Sequence, residues 1–192
     1  MTKICKDMPK YARKSEKSRK VKRLEKPENT GNMRKIKILF ICHGNICRSP
    51  MCEFIFRDKV QKLGLGEQFH IESAATSTEE IGNMPHHGTQ QILSRLGISC
   101  YGKRARQIRK KDYDEYDYLI GMDDMNIRNM KRVFGEDKDK KIYKFLSFAG
   151  EERSIADPWY TGDFERTYRD VDEACDAFLS YLIQKGEVVT RS

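Results

Sequence analysis

A nearly continuous apolar run, Ile36-Lys-Ile-Leu-Phe-Ile41, leads directly into Cys42-His-Gly-Asn-Ile-Cys-Arg48-Ser-Pro50, and that segment leads directly into Met51-Cys-Glu-Phe-Ile-Phe56. A short strand that is apolar on both faces belongs in a parallel sheet covered on both sides. The segment after Pro50 carries the pattern of a helix. A strand joined to a helix by a compact turn is the opening of a βα unit, which points the whole chain toward an α/β fold.

The rest of the sequence continues that alternation. Arg48 to about Leu63 is predicted as an amphipathic helix with Met51, Phe54, Ile55 and Leu63 inward, ended by Gly64. Phe69–Ser73 reads as a second strand, and His87–Leu96 as a helix stopped by Gly97. A short helix over Lys110–Tyr116 precedes a strand at Tyr118–Met122. Asp124–Phe134 is another helix, Lys141–Phe145 a fourth strand, and roughly Asp163–Gln184 a last helix with Val171, Ala174, Cys175, Phe178 and Leu182 on one face. Four strands alternating with helices imply a doubly wound, four-stranded parallel sheet flanked by helices. Ligands of such sheets bind beyond the carboxyl ends of the strands, which is where Cys42 falls.

The turn itself has a chemistry. A cysteine and an arginine separated by five residues can close a loop around a tetrahedral oxyanion, and the pairing suits phosphoryl transfer to sulfur. The thiolate is the nucleophilic form of cysteine. Inward backbone N–H groups and a helix N-terminus favour both a thiolate and a bound dianion. Gly44 allows close backbone approach, and Asn45 tolerates a left-handed turn. Arg48 can bind two phosphate oxygens in fixed geometry. Ser49 can hydrogen-bond the sulfur or a loop carbonyl, and Pro50 falls where a helix tolerates a missing N–H.

The stretch resembles the active-site loop of the low-molecular-weight protein tyrosine phosphatases, bacterial type. Glu72-Ser-Ala-Ala-Thr-Ser77, Ala105-Arg-Gln-Ile108, Met122-Asp123 with Asn126, and Asp157-Pro-Trp-Tyr160 resemble further family motifs in the family's order, over residues 34–185. The resemblance implies a phosphotyrosine phosphatase I-like fold. It also implies a two-step hydrolysis through a phosphocysteine, with Cys42 as nucleophile, Arg48 as phosphate clamp and Asp157 as general acid, then general base. A bound dianion would help Asp157 keep its proton, because like charge disfavours ionisation. His43, Gly44, Asn45, Ile46, Cys47 and Ser49 are implied to form the substrate loop, with Trp159 and Tyr160 walling a slot for the phenyl ring. The family often has Tyr where Trp159 stands. Ser73 and Asn45 resemble members of a network that shapes the loop, and Asp123 resembles an anchor for the arginine. His43, often leucine in the family, is expected to face solvent. Cys47 is implied as a redox partner able to trap an oxidised Cys42 as a disulfide. No metal or other cofactor is needed, because arginine and amides supply the positive field.

Two other chemistries share such a loop. Protein arginine phosphatases resemble this chain but typically carry Thr where it has Ile46, whose apolar side chain favours a tyrosine ring. Arsenate reductases of this fold need two further, closely spaced cysteines, and the middle of this chain offers only Cys100.

Charge is unevenly placed. Residues 1–35 hold 13 Lys/Arg and 4 Asp/Glu, a net of +9, and the remaining 157 residues net −1. Residues 1–33 read as a basic extension, disordered or a loose helix, ahead of a phosphatase domain over 34–188. Met33-Arg-Lys-Ile also reads as a natural opening for the domain. The tail suits weak contact with a polyanion or a membrane surface, which leaves a basic polyanion-binding protein as the reading from another class. No specific nucleic acid is expected as a partner; phosphotyrosine-containing proteins are. The six cysteines include no CxxC, and the start lacks a signal-peptide core, so a reducing cytoplasm is expected. Cys52, Cys100 and Cys175 read as packing residues. The adjacent His86 and His87 are expected to point apart and to bind no metal.

Overall fold

The computed structural model describes residues 34–190. The expected basic extension over 1–33 lies outside the described residues. Four strands, β1 (Ile36–Cys42), β2 (Phe69–Ala75), β3 (Tyr118–Gly121) and β4 (Ile142–Lys144), form one parallel sheet in the order β2-β1-β3-β4. Among the described residues six helices accompany it: α1 (Arg48–Lys62), α2 (His87–Arg95), α3 (Asp112–Glu115), α4 (Asp124–Phe134), α5 (Pro158–Thr161) and α6 (Phe164–Gln184).

The side-chain alternation of β1 divides the core. Ile38, Phe40 and Cys42 face a cluster built with Met51, Phe56, Leu93, Phe145 and Phe178, from α1, α2, the 3-10 turn Phe145–Ala149 and α6. Leu39 and Ile41 face the other way, against Tyr116, Met130 and Phe134 of the α3–α4 side. Burial on both faces explains why β1 has almost no polar interruption. Aromatic rings tie the larger cluster together: Phe40 lies 5.0 Å from Phe145 and Phe56 lies 5.3 Å from Phe178.

Three details differ from the sequence expectations. Helix α1 is not simply amphipathic: every residue from Arg48 to Phe56 is buried, because sheet, α2 and α6 surround its first turns. Leu63, expected inward, is 60% exposed, since it lies past the last turn of α1. The segment after Asp157, which the sequence reading places in no strand or helix, is the one-turn helix α5, started by Asp157, whose side chain accepts from Trp159 N.

Candidate active site

The loop from Cys42 to Arg48 is held by its two ends. Cys42 closes β1, in register with Ala75, and Arg48 opens α1. Asn45 takes the left-handed conformation at φ 58° and is fully buried. Its amide is spent on structure: Nδ2 donates to Ser49 Oγ at 2.9 Å and to Ser73 Oγ at 2.8 Å, and Oδ1 accepts from Arg106 N at 3.2 Å. A non-glycine residue at positive φ is strained, and these three bonds hold it there. A Cβ at position 44 would stand 3.1 Å from Glu80 Cγ, so a larger residue there would press on that side chain.

The sulfur of Cys42 sits inside this frame. Asn45 N donates to it at 3.3 Å, and Ser49 Oγ lies 3.0 Å away. Of the two roles open to Ser49, contact with the sulfur is the shorter; Ala74 O is 3.4 Å away. No side chain caps α1, so the amides of its first turn carry their partial charge without a side-chain partner.

Arg48 is 2% exposed and meets two carboxylates. Nη1 donates to Asp123 Oδ2 at 2.5 Å and to Ile155 O at 3.1 Å; Nη2 donates to Asp157 Oδ2 at 2.5 Å. Its buried Nε has no partner. Burial alone would lower its pKa, but the facing Cys42, Asp157 and Asp123 outweigh that and raise it, so the guanidinium is a fixed cation. Asp123 is itself locked, since its other oxygen caps α4 by accepting from Asn126 N at 2.7 Å. Cys47 is buried, and its thiol is pushed up to about 12 by that burial, then by Cys42 and Asp157.

The structure thus brings Cys42, Arg48, Asp157, Asp123, Asn45, Ser49 and Ser73 into one connected group. Ile46 packs with Cys47 and Ala105 beside Phe164. His43 is partly exposed, with Nε2 3.0 Å from Glu79 Oε2. Trp159 and Tyr160 are 57% and 83% exposed, on the rim and not in a packed wall. Trp159 stands edge-on to His86 at 5.8 Å, beside a groove of about 670 Å³ that also includes His87, Pro158 and Phe164. His86 and His87 do not point apart as expected: their ring centroids are 4.1 Å apart, because His86 turns back to cap α2 through Gly88 N. Sequence reasoning missed Glu53, Arg57 and Lys103. Glu53 accepts from Ser73 Oγ at 2.5 Å and pairs with both cations. The one sequence signal was a charged residue amid the apolar stretch of α1.

Comparison with known proteins covers most of the chain. The family model described as low molecular weight phosphotyrosine protein phosphatase matches residues 37–188. The low molecular weight protein-tyrosine-phosphatase YfkJ of Bacillus subtilis is 42% identical over 155 residues, 80% of this chain and 99% of that protein. The crystal structure of YfkJ superposes with a TM-score of 0.77 at 39% identity, covering 81% of this chain and 99% of that one. A Drosophila arginine phosphatase structure superposes with a TM-score of 0.70 at 29% identity, over 76% of this chain and 97% of that one.

Proposed function

Since the chain belongs to the low molecular weight phosphotyrosine protein phosphatase family, we propose that it hydrolyses phosphotyrosine in proteins through a phosphocysteine on Cys42. Cys42 attacks phosphorus in line. Arg48 and the loop amides neutralise the oxygens, and Asp157 gives a proton to the departing tyrosine oxygen. Asp157 then takes a proton from the water that releases phosphate. Asp123 holds Arg48 in place; Asn45, Ser49 and Ser73 hold the loop. Trp159 and Tyr160 meet the ring and its flanking peptide. No metal enters these steps.

The observation that carries this reading is the buried Arg48, whose Nε is unpaired and whose charge faces the Cys42 sulfur. A buried guanidinium with a spare donor calls for an acceptor, and a phosphoryl oxygen is the acceptor a thiolate site can use. The test is hydrolysis of p-nitrophenyl phosphate and a phosphotyrosyl peptide by wild type, Cys42→Ser and Asp157→Ala in the presence of a chelator. Undiminished turnover by Cys42→Ser, or strict metal dependence, overturns it.

Arginine phosphatase activity is the second reading, kept open by the Drosophila neighbour. Ile46 argues against it by offering an apolar side chain where a hydroxyl would serve a phosphoramidate. Faster turnover of a phosphoarginyl peptide than of a phosphotyrosyl one would reverse the preference. A thiolate nucleophile works best in a reducing compartment, which supports the cytoplasm as its setting. Among the described residues no helix is long and apolar enough to cross a membrane. The domain proposed to act is 34–188, with residues 1–33 an accessory basic tail. Deleting 1–33 should leave turnover intact and remove any binding to polyanions or anionic vesicles.

A further inference from the structure

The groove of about 670 Å³ beside Trp159 runs between α2 and the start of α6, with α5 along its edge. The Cys42–Arg48 loop fixes where it lies. His86 N donates to Ile46 O at 2.8 Å, and Thr89 Oγ1 donates to Cys47 O at 3.2 Å, so the start of α2 is tied to two consecutive loop residues. Phe164 faces both ways: it packs on Ile46, Cys47 and Ala105, and it stacks on the His86 ring at 5.0 Å. On the other side the groove is lined by Pro158 and Trp159, the two residues directly after Asp157. The groove is therefore continuous with the proposed site, through the loop on one side and the proposed acid on the other.

The acidic and basic side chains of its lining are already engaged. Arg95 and Glu165 pair with each other, Nη2 donating to Oε2 at 2.9 Å. Asp163 caps α6 by accepting from Arg166 N at 2.8 Å. His86 accepts from Gly88 N through Nδ1 at 3.1 Å, so its neutral ring carries its proton on Nε2. Desolvation, then the neighbouring His87, lowers the pKa of His86, so it stays neutral at physiological pH. What remains is the apolar surface of Ile92, Pro158, Trp159 and Phe164, with two neutral donors beside it, the His86 Nε2–H and the amide of the exposed Gln91. Apolar surface with a few neutral donors suits an extended peptide, whose side chain fills the apolar part and whose carbonyls take the donors.

We propose that this groove holds the peptide segment flanking the phosphotyrosine, and that it selects substrates with a large apolar side chain, such as Leu or Phe, close to that residue. The inference deepens the phosphatase reading and rests on it. An extended chain covers about 10 Å in three residues, the scale of the one side-chain layer that Phe164 forms between loop and groove. The selected position is thus expected within about three residues of the phosphotyrosine.

The test compares phosphotyrosyl peptides that carry Leu, Ser, Asp or Lys at a single position, from three residues before the phosphotyrosine to three after it. At one or more positions kcat/KM is expected to be about tenfold higher for Leu than for Ser. Asp and Lys should do no better than Ser. Gln91→Trp fills the groove and Gln91→Glu sets a charge beside its apolar surface. Each should bring the Leu/Ser ratio toward one and leave p-nitrophenyl phosphate turnover and the melting temperature unchanged. Trp159 is the single tryptophan of the chain, so its emission gives a second measurement without a groove variant. In Cys42→Ser, the Leu peptide should move the emission further to the blue than its Ser counterpart. A flat peptide profile, a preference for Asp or Lys, or an unchanged Leu/Ser ratio in the folded variants overturns the proposal. If both variants fail to fold, the emission decides, and equal shifts for the two peptides overturn it. No turnover of any phosphotyrosyl peptide would overturn the phosphatase reading instead, and the emission would still judge the groove.

Discussion

Asp157 Oδ2 accepts a hydrogen bond from Arg48 Nη2 at 2.5 Å, which joins the proposed proton carrier to the proposed phosphate clamp. A guanidinium grips phosphate best with two parallel N–H groups. Phosphate and Asp157 therefore compete for Nη2, while Asp123 and Ile155 O keep Nη1.

Removing Asp157 should separate chemistry from binding. Asp157→Ala is expected to lower kcat on phenyl phosphate by about 10²–10⁴-fold, the usual worth of a general acid. The loss should be smaller on p-nitrophenyl phosphate, whose leaving group needs a proton less. Competitive inhibition by inorganic phosphate should stay as strong or become stronger. An equal loss of phosphate affinity would contradict the competition.

Asp123 does two jobs that one substitution can divide. Asn is a good N-cap, so Asp123→Asn should keep α4 and lose the ion pair to Arg48. We expect kcat/KM to fall by about 10–100-fold, in line with about 1.5–3 kcal/mol for a charge-assisted bond, with little change in unfolding midpoint. Asp123→Ala should lose about 1 kcal/mol more of stability through the cap. Urea unfolding and steady-state kinetics on both variants check this.

Gly88 is a steric requirement at the start of α2. A Cβ there would stand 2.6 Å from the ring of Phe164, which stacks on His86 at 5.0 Å. Gly88→Ala should cost about 1–3 kcal/mol by overpacking. For a domain of this size that lowers the thermal midpoint by about 2–4 °C per kcal/mol. Adding Phe164→Leu should recover part of the loss in a melting experiment.

Cys47 predicts a loss of stability at alkaline pH. Its folded thiol is raised from 9.0 to about 12, chiefly by burial. Below pH 9 neither state ionises, and this contribution to stability is fully present. As pH rises from 9 toward 12 the unfolded chain loses the proton and the folded one does not, so stability falls. The loss reaches about 1 kcal/mol near pH 10. The buried thiols of Cys52 and Cys175, also raised, add to the slope. Urea unfolding across this range should show a shallower slope for Cys47→Ala.

The same property governs oxidation. The thiolate is the attacking form in thiol exchange, and Cys47 is held as a thiol at neutral pH. After a peroxide pulse, activity recoverable by dithiothreitol should increase with pH and fall in Cys47→Ser, where only the sulfenic acid not yet over-oxidised is still reducible. Recovery independent of both pH and Cys47 would exclude it as the trap.

The parts legible in the sequence were those whose geometry is local. β1, the Cys42–Arg48 turn and the start of α1 are contiguous, so spacing alone carries them. Gly64 and Gly97 mark the ends of α1 and α2 at positive φ, as their positions suggested. The parts that escaped depend on distant partners. Glu53 looks like an ordinary helix residue until β2 brings Ser73 and the segment after α2 brings Lys103. The carbonyl of Ile155 carries no side-chain signal, yet it holds Arg48. The burial of α1 could not be read from periodicity, because it is surrounded and not merely laid against a sheet.

Cys42 is the last residue of a strand flanked on both sides, with Cys42 opposite Ala75 and Ile41 opposite Gly121. The cooperative unit that protects amide protons longest in such a fold is the central strand pair. The proposed nucleophile is thus anchored to the last part of the molecule to open. On heating, turnover and backbone protection of residues 38–42 should disappear in one transition, with no preceding stage in which a frayed loop leaves a folded but inactive protein.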